Sequence, residues 1–237
     1  MGMLSCQTDA QPTRLTTIMP PTPVEFLQTC LDFKRRLKDC HFCRENNWTP
    51  SSGLYRGDCS GFILTLLKLH NPKLLHDLQQ HSNNNRPKAF EIHNWLKQSP
   101  NGVNLRQQLT DIQPGQLLSW RKINPPKSGD TGHLAIVLEV LEVDQKNKLT
   151  FFREQHRGQH LENQLKNHRE KSQRLSIKVL DLSKQAHDHD DLPRPGIACG
   201  WMQLTADDSG IVNGYIWSSE LKKSKRTDII IAAITAH

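Results

Sequence analysis

Two residues have both the type and the setting to carry chemistry: Cys59 and His133. Cys59 sits in Arg56-Gly57-Asp58-Cys59-Ser60-Gly61-Phe62, with Asp58 placed to cap a helix that begins at the cysteine. The unpaired N–H groups and the dipole of a helix N-terminus favour a thiolate there. Gly57 and Gly61 flank the cysteine, so neither neighbour need crowd an approaching carbonyl. His133 lies in Gly129-Asp130-Thr131-Gly132-His133-Leu134-Ala135-Ile136-Val137, where a glycine-rich turn opens onto a long apolar strand. An imidazole at a strand mouth can reach a helix N-terminus while the rest of the strand stays in the core. That arrangement suits covalent catalysis, in which the ring takes the thiol proton and later gives it to a leaving amine. A third group on a neighbouring strand would orient the ring and fix its tautomer.

The elements that must position this pair follow from the hydropathy pattern. Helical spacing predicts a helix from Val24 to about Phe42, after Pro23. Residues 46–56 hold Pro, Ser and Gly and predict a loop. The cysteine helix carries Phe62, Ile63, Leu66, Leu67 and Leu69 on a broad apolar side. Asn71-Pro72 interrupts it, a second helix covers 73–80, and Phe90–Lys97 is a short amphipathic helix closed by Pro100 and Gly102. Strands are predicted at 117–120, 133–143, 149–154, 175–182, 196–204, 214–217 and 229–235. Helices followed by an antiparallel meander make an α+β fold. Residues 1–22 read as a mobile leader. Residues 23–237 read as a single domain with a polar insertion at 155–174.

In order and local sequence, Asp-Cys-Ser-Gly-Phe on a helix, Pro-Gly-x-Leu-Leu-Ser-Trp at 114–120, and Gly-His-Leu-Ala-Ile-Val at 132–137 resemble the NlpC-type cell-wall peptidases and the related CHAP amidases. The resemblance covers roughly residues 54–156. It implies a minimal papain-like fold, Cys59 as nucleophile, His133 as base, and an amide bond of peptidoglycan stem peptides as substrate. In the CHAP pattern a Glu ends the strand beside the histidine and a polar residue follows two positions on; Glu154 and His156 match these places. Asp181, which also ends a predicted strand, is the rival third member. A Tyr-x-Gly-Gly segment common ahead of the family's cysteine is absent, and Tyr55 stands four residues before Cys59 instead. These departures bear on the substrate more than on the nucleophile. A non-catalytic cell-envelope binding module on the same fold is the alternative reading.

Composition bounds the rest. The chain has 237 residues, and Lys and Arg exceed Asp and Glu to give a formal charge of +7, which suits an anionic wall polymer. Nucleic acid is not expected as a partner, because the chain lacks a helix-turn-helix, a zinc framework or aromatics interleaved with basic residues. Six cysteines are too few for a disulfide framework, and Cys40-x-x-Cys43 supplies only one close pair where a structural zinc site needs two. No metal and no cofactor are expected. His187-Asp188-His189-Asp190-Asp191 has metal-like composition but reads as a solvated loop. Trp201, Tyr215 and Trp217 could form a sugar-stacking wall, though core packing is the simpler expectation. No apolar run approaches the roughly 20 residues of a membrane-spanning helix. Leu4-Ser5-Cys6 resembles the end of a bacterial lipoprotein cleavage box, which would put a lipid anchor on Cys6 and the protein in the envelope or periplasm. The basic and apolar segments that should precede such a box are missing, so a cytoplasmic location stays open.

Overall fold

The computed structural model describes residues 24–124, 132–141, 174–186, 194–216 and 224–235. The order of elements is α1 (Val24–Arg36), β1 (Asp39–Phe42), β2 (Asn47–Thr49), β3 (Leu54–Gly57), α2 (Cys59–His70), α3 (Pro72–Ser82), α4 (Ala89–Leu96), β4 (Val103–Leu105), β5 (Leu117–Arg121), β6 (Gly132–Leu141), β7 (Arg174–Ala186), β8 (Arg194–Ala206), β9 (Val212–Ile216), β10 (Lys225–Arg226) and β11 (Asp228–Ile234). A 3-10 turn spans Leu109–Asp111. The fold is α+β: helices pack on a large antiparallel sheet whose strands run β10-β9-β8-β7-β6-β5-β11-β4. β5 to β9 form a meander. The last long strand, β11, then returns to pair with β5 and β4.

Two apolar clusters lie on opposite faces of the sheet, as strand alternation requires. One is the helix-facing core, where Phe62, Ile63, Leu66 and Leu67 of α2 meet Leu134, Ile136, Leu180 and Leu182. The other gathers Leu118, Trp120, Ala135, Val137, Val179, Met202 and Ile231. α2 is buried along nearly its whole length, from Ser60 to Leu67, but Leu69 points to solvent at 51% exposure rather than joining the apolar side. Asn71 ends α2 and starts α3: its side chain accepts from the Leu74 N–H at 3.0 Å, and its amide donates to the Thr235 carbonyl. That double role explains why the Asn71-Pro72 break separates two helices rather than kinking one.

The first helix is shorter than its periodicity predicts. After Leu37 the backbone turns to Gly53, whose carbonyl accepts from Lys38 N at 2.8 Å and Asp39 N at 3.2 Å. A Cβ on Gly53 would lie 2.5 Å from the Arg36 carbonyl, so this approach needs glycine. Residues 39–42 then pair in parallel with β3, and β2 pairs with its other side. Cys40 therefore lies in a strand and Cys43 just beyond it, not at a helix end. The segment expected as a loop over 46–56 is mostly a hairpin. Among the described residues Cys30, Cys40, Cys43, Cys59 and Cys199 are all thiols.

Candidate active site

The cysteine turn is built as its sequence predicts. Asp58 caps α2, accepting from the Gly61 N–H at 2.9 Å and the Ser60 hydroxyl at 2.7 Å. Its other oxygen pairs with Arg86 at 2.8 Å. Burial pushes the Asp58 carboxyl upward, but these bonds and the guanidinium outweigh it and hold the group below the usual carboxylate range. Asp58 is thus occupied as cap and ion-pair partner. The flanking glycines serve the interior rather than the substrate side. A Cβ on Gly57 would fall 2.1 Å from the Tyr55 hydroxyl, and one on Gly61 would fall 3.1 Å from Asn46 Cγ. The buried Tyr55 phenol and the Thr65 hydroxyl both donate to Asn46 Oδ1, each at 3.0 Å, which ties the hairpin to the underside of the cysteine turn.

His133 opens β6 opposite Trp120 of β5, and the two rings lie 4.7 Å apart, centroid to centroid. Gly132 lets this strand come up against α4: a Cβ there would lie 2.9 Å from the Phe90 nitrogen. The Cys59 side chain hydrogen-bonds the imidazole. Nε2 of the ring meets Asp181 Oδ1 at 2.5 Å, which leaves Nδ1 to serve the sulfur. The His133 side chain is 23% exposed and that of Asp181 7%, so the ring has a route to solvent while its carboxylate partner is sealed. Burial works against a charged imidazole here. The Asp181 carboxylate, its hydrogen bond and the Cys59 sulfur outweigh burial, so His133 titrates well above an ordinary histidine.

The register explains why Asp181 reaches His133. β7 pairs antiparallel with β6, with Leu141 opposite Ser176 and Glu139 opposite Lys178. A bulge between Val137 and Glu139 then shifts the register by one residue, which sets Asp181 opposite Ala135. Ala135 shares a strand face with His133, two residues away, and the carboxylate lies on the diagonal. Without the bulge Asp181 would stand opposite Ile136, one residue out of step, and His133 would lie on the other face of the sheet from it. Both flanks of β6 are taken, one by β5 and the other by β7. Among the described residues, Asp181 is the proposed orienting residue that reaches the ring. Glu154 and His156 lie outside the described residues, as do Cys6, all of the 155–174 insertion except Arg174 at the start of β7, His187–Asp191 and Trp217.

Several site features have no motif in the sequence. Arg86 is one, and the Asn46–Tyr55–Thr65 network is another; the proximity of Asn46 and Tyr55 to Cys59 in sequence could have flagged the latter. Trp120 packs on His133 and on Tyr215, the latter with 5.3 Å between ring centroids. Tyr215 therefore joins the second apolar cluster. Trp201 is half-buried, with Lys178 Nζ 5.7 Å from its ring centre. No group of three or more His, Cys, Asp or Glu able to hold a metal occurs among the described residues. Among them, also, no helix is long and apolar enough to cross a membrane.

Against known proteins, no family model matches the chain. It is 24% identical over 178 residues to the uncharacterized protein R653 of Acanthamoeba polyphaga mimivirus, a match covering 72% of each chain. No solved structure matches.

Proposed function

We propose that this protein is a cysteine hydrolase of the NlpC and CHAP type, on a minimal papain-like fold, that cleaves an amide bond in peptidoglycan stem peptides. The observation that carries this reading is the chain of contacts Cys59–His133–Asp181, made across a helix N-terminus and two adjacent strands. The Cys59 sulfur attacks the amide carbonyl and forms an S–C bond, while the His133 imidazolium gives its proton to the leaving nitrogen as the C–N bond breaks. Water then enters, His133 takes its proton, the S–C bond breaks, and a carboxylate product leaves. Asp181 keeps the ring oriented and charged through the first half of the cycle. The Cys59 N–H at the start of α2 is the backbone donor best placed for the oxyanion. The basic chain, with its formal charge of +7, supports an anionic wall polymer as the partner, and such a substrate puts the working protein in the cell envelope.

The test is release of new amine and carboxyl ends from purified muropeptides, followed by chromatography and mass spectrometry. Wild type should release them and Cys59→Ala should not. Wall binding by wild type without any release would turn the reading to a binding module. Iodoacetamide supplies a second check. Cys59 should label faster than Cys30, whose thiol is pushed far up by burial, and faster than Cys40, raised to about 11 chiefly by burial. Equal labelling of all three removes the activated nucleophile.

A further inference from the structure

Away from this site, Lys34 on the last turn of α1 directs its amine at a sulfur. Lys34 Nζ lies 2.8 Å from Cys199 Sγ on β8, across 165 residues of chain. That separation is typical of an N–H···O bond, although sulfur is the larger and poorer acceptor. It is also close to the span of two bonds through one shared oxygen atom. Lys34 is exposed and could keep its amine fully hydrated, whereas Cys199 is half-buried against the helix-facing core. A long cationic side chain gains little by giving up water for a thiol. We infer that Lys34 and Cys199 are an oxidative cross-linking site, at which dioxygen joins Nζ to Sγ through a single oxygen.

The chemistry balances. One amine, one thiol and one dioxygen give the N–O–S bridge and one water: the N–O and O–S bonds form, one N–H and the S–H are lost, and dioxygen is the species reduced. Two equivalents of a dithiol reverse it, returning amine, thiol and water with two disulfides of the reductant. The bridge would fasten α1 to the sheet. Cys199 stands opposite Leu180 in the β7–β8 ladder, and the next residue of β7 is Asp181. Cross-linking therefore clamps the strand pair that holds the carboxylate of the candidate site, and it closes a loop of 165 residues, which restricts the unfolded chain.

The experiment uses the full chain, reduced, desalted and divided between oxygen-saturated and anaerobic buffer. Peptide mapping without reductant should find the Lys34 and Cys199 peptides joined, at their summed mass plus one oxygen less two hydrogens, only in the oxygenated sample. Excess dithiol should abolish the species. It should be absent in Lys34→Arg, which keeps the positive charge, and in Cys199→Ser, and it should persist in Cys59→Ala. Oxygenated wild type should melt higher than its reduced form by roughly 5 °C, a shift that Lys34→Arg lacks. Recovery of Cys199 from folded, oxygenated wild type only as a thiol, a sulfinate or a disulfide overturns the inference. So does survival of the joined mass in Lys34→Arg. Neither result depends on hydrolytic activity.

Discussion

The molecule contains two nucleophile–histidine–carboxylate constellations, and they behave in opposite ways. At the candidate site Cys59, His133 and Asp181 meet where the ring is 23% exposed. In the other, Ser119 of β5 hydrogen-bonds His93 Nδ1 of α4 at 2.9 Å, and Nε2 of that ring lies 3.3 Å from Asp228 Oδ2. Ser119 and His93 are both 0% exposed, so no substrate reaches that hydroxyl. The carboxylates differ too. Asp181 is sealed and serves His133 through a short bond, whereas Asp228 is part-exposed and shared with Lys97 at 2.5 Å. In His93 burial wins and holds the ring below the ordinary histidine range despite Asp228. In His133 the carboxylate wins over burial. The same kinds of residue build two different sites; access and the balance of burial against a dedicated charge set them apart.

The sharpest way to break this contrast is to remove each nucleophile in turn. Cys59→Ala or His133→Ala should lower kcat/KM for muropeptide cleavage by about 10⁴-fold or more, while Ser119→Ala should leave it within about twofold. Comparable losses from the serine variant would mean that the sealed cluster takes part in the reaction. Asp181→Asn should cost about 10³-fold in kcat. It should also bring the His133 titration, followed by imidazole NMR, down toward the ordinary value of about 6.5; an unmoved titration would remove Asp181 from its orienting role.

Stability should divide the two sites the other way. Ser119→Ala leaves His93 Nδ1 unpaired in the core and should cost about 1–3 kcal/mol in urea unfolding, whereas half-buried Cys59→Ala should cost under about 1 kcal/mol. The smallest effect is on pH dependence. His133 titrates higher folded than unfolded, so its stabilisation is complete below about pH 6.5 and is lost as pH rises through the folded value. His93 titrates lower folded, so its stability is present above about pH 6.5 and declines as pH falls toward the folded value. Replacing His133 by Gln should therefore flatten the alkaline side of a stability–pH curve, and replacing His93 the acidic side.

Local sequence was a good guide wherever the cause was local. Asp58 before an apolar run marks a capped helix, and α2 begins at Cys59. A glycine turn before Ile-, Leu- and Val-rich residues marks a strand, and β6 begins one residue before His133. The guide failed where a distant partner decided the outcome. Residues 39–42 continue the helical spacing of α1, yet β3 supplies their backbone partners, so they form a strand. His93 resembles any histidine on a short helix until Ser119 and Asp228 close around it. Arg86 gives no sign of its bond to Asp58 across 28 residues.

What the sequence by itself determined is the pair of chemical groups and the elements that carry them: a thiol at a helix start, an imidazole at a strand start, and an α+β order of elements. Caps, turns and hydropathy periods act over a few residues and are written in neighbouring side chains. Tertiary structure alone decided the third member. One unpaired residue in β6 brings His133 onto the sheet face that Asp181 occupies, because a one-residue slip in register reverses every side chain beyond it.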